Sequence, residues 1–390
     1  MPAVMVMGLQ WGDEGKGRVV DTIAAGANSV VRFNGGPNAG HTIPLPNGTR
    51  GAVHQLPSGV YQEHTKCVMG GGMVIDPEKL IKEISEVHLD TRRLYIDAGC
   101  HLVCPCHIAE DGAAESAREV AIGTTKTGNG PTYADKYLRA GIRLDDFLGD
   151  VTSLRACAHR LASARPGRDL DSLYVWLSGV RKAMKDVGLI NCISDVPDLL
   201  ALWEKSDHNI LFECAHGAEL DIDHGAYPFV TSSCCGIGGI YSGAGFDPRE
   251  IRTVIGVMKP YSTRIGAGPF VPGFTKEEEE YIRERGGEYG VTTGRPRKIG
   301  VLDLSRLQRV VRANGVDCLA ITHMDMAEYL GTVPYIDIHG GLDSGSWRDI
   351  MAIIELRLGI PIRYMSDGPQ RESMTALWGE DGVQGDLWGL

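Results

Sequence analysis

Apolar positions in this chain form two kinds of run. Short, uninterrupted ones of strand length recur as VMVM at 4–7, SVVRF at 29–33, CVMGGG at 67–72, NILFE at 209–213, TVIGVM at 253–258 and CLAIT at 318–322. Continuous rather than alternating runs mark strands buried on both faces, the pattern of a parallel sheet covered by helices. Helical spacing appears between them. PEKLIKEISEV (77–87) sets Leu80, Ile81, Ile84 and Val87 on one face. SLRACAHRLASA (153–164) and SLYVWLSGVRKAMKDVG (172–188) make the middle of the chain helix-rich. TKEEEEYIRERGGEYG (275–290) reads as an exposed acidic helix closed by a flexible Gly pair, and WRDIMAIIELRLGIPIRYM as a helix and a last strand. The pattern predicts an α/β fold: a large, mostly parallel central sheet with flanking helices, forming one unit over 1–390. A helix-rich insertion is expected at about 100–205 and a polar, Gly-rich tail at about 371–390.

Composition narrows this picture. Of 390 residues, 43% are hydrophobic and 23% charged, which excludes wholesale disorder. The 51 glycines follow no collagen-like period and cluster in short loops between the apolar runs, where backbone can approach a phosphate. A net charge of −11 argues against non-specific binding to duplex nucleic acid. No apolar run approaches the roughly 18 residues of a membrane span, and the opening MPAVMVMGLQ lacks the basic and apolar regions of a signal peptide. A soluble, cytoplasmic protein is expected, and its ten cysteines are read as reduced thiols. The cluster Cys100, His101, Cys104, Cys106 and His107 follows the strand-like LYID, so Cys104 and Cys106 are expected to share one face of an extended segment. No second ligand pair lies at a zinc spacing, and these residues read as small core groups at a strand end, as do Cys234 and Cys235.

Candidate chemistry is densest at the start. Strand VMVM leads into Gly8-Leu-Gln-Trp-Gly12-Asp13-Glu14-Gly15-Lys16-Gly17-Arg18 and then a helical pattern. Strand, Gly-rich turn and helix aim backbone N–H groups and a helix N-terminus at a phosphate, and Lys16 adds a point charge. This is not a Walker A loop, because Gln10 stands six before Lys16 and Gly17 replaces the metal-holding Ser/Thr. Asp13 would repel a phosphate unless it binds Mg²⁺ or takes a proton. A second loop, Asn34-Gly35-Gly36-Pro37-Asn38-Ala39-Gly40-His41-Thr42, follows strand SVVRF and offers His41 as acid/base or as donor to a developing charge.

WGDEGKG followed by NAGHT resembles the adenylosuccinate synthetase family, and the likeness continues along nearly the whole chain. IGTTKTGNGPTYADK (122–136) is similar to that family's monophosphate loop, and DIDHGAYPFVTSS (221–233) and YSTRIGAGPF (261–270) are also family-like. VTTGRPRKIG (291–300) resembles its aspartate loop, and THMD (322–325) and SDGP (366–369) its guanine-contacting segments. The resemblance implies a ligase that phosphorylates O6 of IMP with GTP and then displaces the phosphate with L-aspartate. It implies Asp13, His41 and Lys16 as catalytic residues, with Mg²⁺ held by Asp13 and the Gly40 carbonyl. The nucleoside triphosphate would fall to Gly12, Glu14, Gly15, Lys16, Gly17, Gly40, His41, Thr42, Asp325, Ser366 and Gly368. The monophosphate nucleotide would fall to Asn38, Thr125, His216, Thr231 and Arg295, with Arg139 donated across a homodimer interface. Thr292, Thr293, Arg295 and Arg297 would hold L-aspartate.

Four departures from the family pattern bear on the substrate. His216 and Asn34 each stand where Gln is usual, His323 replaces a Lys that packs on guanine, and Lys126-Thr127 replaces Gly-Arg. The segment 326–365 is also short for a bacterial member. A viral branch of the family takes dGMP, often with ATP or dATP, and typically has a small residue in place of the loop Asp. Asp13 favours IMP; GMP or dGMP as acceptor and ATP as donor remain the alternative. More distant readings are a GTP-binding switch, which the Arg-rich 291–300 loop disfavours, and an inactive homologue.

Overall fold

A computed structural model describes residues 3–45, 48–290, 294–377 and 387–388. Its centre is a ten-stranded sheet. In chain order the strands are β1 (Ala3–Gly8), β2 (Ser29–Arg32), β3 (Lys66–Met69), β4 (Leu94–Asp97) and β5 (Ile193–Ser194). They continue with β6 (Ile210–Gly217), β7 (Ile251–Met258), β8 (Cys318–Ile321), β9 (Ile362–Ser366) and β10 (Met374–Ala376). Across the sheet the order is β10-β9-β8-β7-β1-β6-β2-β3-β4-β5. Every neighbouring pair is parallel except β9 with β10. The six uninterrupted apolar runs became β1, β2, β3, β6, β7 and β8, the contiguous middle of the sheet. Their residues face apolar layers on both sides: Val4 and Val6 of β1 pack with Val19, Val20 and Ile23, while Met5 and Met7 pack with Phe212 and Leu319.

Helix Lys16–Ala24 leaves the loop after β1. Helix Pro77–Glu86 begins as its sequence dictates: the Asp76 side chain accepts the Lys79 N–H, and Pro77 occupies the first turn. Residues 105–204 hold helices Pro105–Ala117, Asn129–Leu138, Val151–Ser163, Leu170–Asp186 and Val196–Glu204. Leu154, Leu161, Leu173 and Leu177 from the third and fourth of these share a core with Cys67, Leu80 and Ile96.

One local expectation fails. Cys104 and Cys106 are not on an extended segment: Cys104 caps helix Pro105–Ala117 and Cys106 lies in its first turn. Pro105, with its fixed φ, suits the first helical position, and His107 Nδ1 accepts the Cys104 N–H at 2.9 Å. His107 Nε2 then meets Asp135 at 3.1 Å, so the ring works as a structural clamp. Within the tail expected from about 371, β10 adds an antiparallel edge strand to β9. Among the described residues no helix is long and apolar enough to cross a membrane.

Candidate active site

Strand connections jump from β6 to β7 across β1, so the sheet reverses its winding there, and ligands favour the crevice outside the carboxyl ends at such a point. A cavity of about 930 Å³ lies at this place. Its walls are the segments that follow the carboxyl ends of β1, β2, β6, β7, β8 and β9.

The loop after β1 forms the floor. Gly12, Asp13 and Gly15 all have left-handed backbone, with φ of 85°, 60° and 85°. Glu14 holds this turn from below. Its buried carboxylate accepts the N–H of Gln10 (3.1 Å) and of Gly12 (2.9 Å) and pairs with Lys16 Nζ at 2.6 Å. Burial alone would lower the Lys16 ammonium, but Glu14 outweighs it and holds the group above its ordinary value. Gly12, Asp13, Gly15, Lys16 and Gly17 face the cavity; the Glu14 side chain does not. Glu14 was expected among the triphosphate contacts; its carboxylate builds the loop, which leaves its backbone to serve a phosphate.

His41 stands on the wall above. Its Nδ1 meets the Glu213 carboxylate and, at 3.1 Å, Ser58 Oγ. Glu213, fully buried on β6, also accepts the Ser58 N–H at 2.7 Å and the Ser58 hydroxyl at 2.5 Å. Burial pushes the His41 imidazole below its ordinary value, with Glu213 opposing. Burial would raise Glu213; His41, Arg32 and Ser58 together hold it low. Glu213 was missed from the sequence, although an acid inside the apolar run NILFE is itself a signal of a paired buried charge.

A second buried network fixes the opposite wall. Arg297 Nε lies 2.9 Å from Asp13 Oδ2, and its Nη1 lies 2.6 Å from Glu288 Oε2. Glu288 also accepts from Lys259 Nζ (2.9 Å) and the Tyr261 hydroxyl (2.7 Å). Despite burial, these cations hold the Glu288 carboxyl down at about 2. Arg295 donates to the Gly123 carbonyl at 2.8 Å. Thr292 and Thr293 lie outside the described residues.

Polar side chains line the third side as a hydrogen-bonded series. Thr125 meets Thr127 (2.9 Å), Thr127 donates to Asn129 (3.2 Å), Asn129 to Asn38 (2.6 Å) and Asn38 to Thr231 (3.4 Å). Asn38, Thr125 and Thr231 come from three distant segments, and all face the cavity. Gly40, Thr42 and His216 also line it. At the far end are Asp325, His323 and Gly368, where Arg18 Nη1 bonds Ser366 Oγ and the Gly368 carbonyl. Burial raises Asp325, with Arg18 opposing. Ser366 is buried, does not face the cavity and touches the guanidinium of Arg18, which does. Arg139 caps helix Asn129–Leu138 on the exposed surface, away from this cavity. Asn34 is buried behind the wall.

A glycine loop with a lysine, placed at the winding reversal of a parallel sheet and opening on a cavity large enough for two nucleotides, defines an α/β enzyme that handles phosphorylated ligands. Known proteins specify which kind. The family model for adenylosuccinate synthetase matches residues 5–338. The chain is 42% identical to adenylosuccinate synthetase of Thermodesulfovibrio yellowstonii over 340 residues, covering 84% of this chain and 78% of that protein. It is 41% identical to that of Shewanella denitrificans over 343 residues, covering 85% and 78%. The structure superposes on fully ligated adenylosuccinate synthetase from Plasmodium falciparum with a TM-score of 0.88 at 31% identity, covering 96% of this chain and 99% of that one. Cyanophage S-2L succinoaminodeoxyadenylate synthetase, solved with dGMP and dATP, shares the fold (TM-score 0.71, 21% identity, 99% and 98% covered). The chain belongs to the adenylosuccinate synthetase family, ligases that form a C–N bond from IMP, GTP and L-aspartate and need a divalent metal.

Proposed function

We propose that this protein, in the cytoplasm, joins L-aspartate to C6 of IMP through a 6-phosphoryl intermediate, releasing adenylosuccinate, GDP and phosphate. The observation that carries this reading is the convergence of Asp13, Lys16, His41, Arg295 and Arg297 on one cavity, with Arg297 in contact with Asp13. In the first step Asp13 takes the N1 proton as O6 attacks the γ-phosphorus, and the bond to the GDP oxygen breaks. Lys16 and the loop amides hold the phosphates, and His41 donates to the phosphoryl oxygens as charge spreads over them. In the second step the aspartate amine attacks C6 and phosphate leaves. Arg295 and Arg297 suit the aspartate carboxylates by their planar donor forks. Asn38, Thr125 and Thr231 suit the monophosphate, and Asp325 the N–H edge of guanine.

The donors at the loop fit Mg²⁺. Asp13 offers a carboxylate, 28% exposed, and Gly40 a carbonyl at the cavity surface. One or two protein oxygens plus phosphates and water is how this ion is usually held. When bound it would neutralise charge on the transferring phosphoryl group. Arg139, exposed beside Tyr137 and Leu138, is proposed to reach the nucleotide of the partner subunit in a homodimer.

Ligation assays with IMP, GMP and dGMP against GTP and ATP, each with L-aspartate and Mg²⁺, test the reading. Ligation of IMP with GTP is expected, and Asp13→Ala should abolish it. Ligation with GMP or dGMP alone would move the protein to the acceptor class of the viral branch. Near wild-type rates in Asp13→Ala would overturn the mechanism.

A further inference from the structure

Several buried nitrogens in and behind the cavity wall have no hydrogen-bond partner among the described residues, including His216 Nε2 and, on the neighbouring strand, Arg32 Nε and Nη2. Arg32 ends β2, is fully inaccessible, and spends Nη1 on the carbonyls of His54 and Leu56. His216 lies on the adjacent strand β6, three residues beyond Glu213, which is in register with Arg32. The two side chains approach the same small volume under Gly35. A Cβ placed on Gly35 would lie 3.4 Å from His216 Nε2 and 3.7 Å from Arg32 Nη2, and only 2.9 Å from the Ala215 Cβ. Glycine at 35 keeps that volume open.

The ring of His216 is also held in place. Its backbone is left-handed, with φ of 65°. The peptide before it is clamped by Asn34, whose side chain accepts the Ala215 N–H at 2.8 Å and donates to the Ala215 carbonyl at 3.2 Å. Burial, with Lys16, Arg32 and His41 nearby, pushes the imidazole down to about 3, so the ring is neutral near pH 7. A neutral imidazole carries one N–H and one lone pair, and its neighbours decide which nitrogen has which. A guanidinium is always charged and presents only donors. A proton on Nε2 would confront those donors, whereas a lone pair there is stabilised by them.

We infer that Arg32 fixes His216 as the Nδ1–H tautomer, and that this N–H reads an oxo group, rather than an amino group, on the acceptor base. Nε2 is the ring nitrogen sealed from solvent, which leaves Nδ1 to the cavity that His216 lines, and the residue abuts the phosphate loop: its Cα lies 3.8 Å from the position of a Gly12 Cβ. This deepens, and rests on, the proposed reading of the cavity, in which the 6-oxo edge of the purine lies beside Asp13. Arg32 is then a positioning residue and His216 a specificity residue. A 6-amino nucleotide would set N–H against N–H, so the site rejects AMP relative to IMP. One such mismatch is worth about ten- to hundredfold in affinity.

Long-range proton–nitrogen NMR on the full chain labelled with ¹⁵N-histidine reads the tautomer directly, with the resonance assigned by its loss in His216→Gln. The Nδ1–H form is expected at pH 7, and Arg32→Met should shift it toward Nε2–H. Binding of IMP and AMP is measured in parallel. His216→Phe should weaken IMP about tenfold or more and AMP by less than twofold, and His216→Gln, which keeps an N–H donor, should recover most of the IMP loss. An Nε2–H or doubly protonated ring in the wild type would overturn the inference, as would equal weakening of IMP and AMP in His216→Phe. If Arg32→Met does not fold, the wild-type tautomer and the two His216 variants decide. Failure of the wild type to ligate IMP, with the Nδ1–H tautomer present, would sink the proposed function and leave the tautomer assignment standing.

Discussion

Replacing Glu213 with Gln isolates what orients and charges His41. The carboxylate accepts from the Ser58 N–H and hydroxyl and meets His41 Nδ1, close to the buried Arg32 guanidinium. As a neutral ring with its Nδ1 proton committed to Glu213, His41 has only a lone pair at Nε2, which cannot help a phosphoryl oxygen. It becomes a donor there by taking a second proton, and the Glu213 anion is what stabilises the resulting imidazolium. The substitution Glu213→Gln keeps the shape and loses the charge. A hydrogen bond to a charged group is worth about 1.5–3 kcal/mol, which predicts a roughly 10- to 150-fold loss in kcat. Leaving Arg32 without its anion adds a stability cost of about 3 kcal/mol. Removing the anion also lowers the His41 pKa, so the alkaline limb of the rate profile should move to lower pH. Steady-state kinetics from about pH 5.5 to 9, alongside thermal unfolding, measure all three. A folded Glu213→Gln enzyme with kcat within twofold of wild type and an unmoved alkaline limb would refute the reasoning.

Glu288→Gln takes the anion from buried Lys259 and leaves Arg297 with Asp13 alone, so a loss of about 3–5 kcal/mol in stability and a raised KM for L-aspartate are expected; an unchanged melting temperature would show that the network does not hold that wall. Gly8→Ala would put a Cβ 2.3 Å from Glu14 Oε2, displacing the carboxylate that supports the loop; affinity for the nucleoside triphosphate, measured by calorimetry, should fall at least about tenfold. Burial lowers His101 and His208 to about 4 each, below the value of about 6.5 in the unfolded chain. Their contribution is complete above about pH 6.5 and is lost as pH falls toward 4, at up to roughly 1.4 kcal/mol per pH unit for each. Urea unfolding at pH 7, 6 and 5 should show falling stability, and a rise on acidification would contradict the assignment.

The middle of the sheet was legible because strands buried on both faces leave unbroken apolar runs. The edges were not: β5 and β10 have two and three residues, too few for any periodicity to show. The strand-like reading of Cys104 and Cys106 failed because the capping interaction that starts their helix depends on His107, whose other nitrogen is set by the distant Asp135. At the site, glycine loops and their neighbouring Asp13, Lys16 and His41 stood out by local chemistry. The residues that hold them did not. Glu288 closes the segment EEEEYIRERGGE, which reads as a solvated face, yet it is fully buried. Arg32 and Glu213 are single charges inside apolar strands, and only the parallel register of β2 with β6 brings them together.

A protein of net charge −11 that binds anions must make its cations local, and the structure shows how they are kept in place. Lys16 is held by Glu14, Arg297 by Glu288 and Asp13, and Arg18 by Ser366 and the Gly368 carbonyl. Each cation is oriented before any phosphate arrives, so less reorganisation is needed when charge develops. Screening over about 8–10 Å confines the repulsion from the acidic surface, while the buried pairs act at contact distance. The Asp13–Arg297 pair has a further consequence. In the proposed mechanism Asp13 serves the purine and Arg297 serves L-aspartate, so the two substrates draw on one contact. Whichever substrate separates the pair first removes that cost for the second, and the coupling must be the same in both directions.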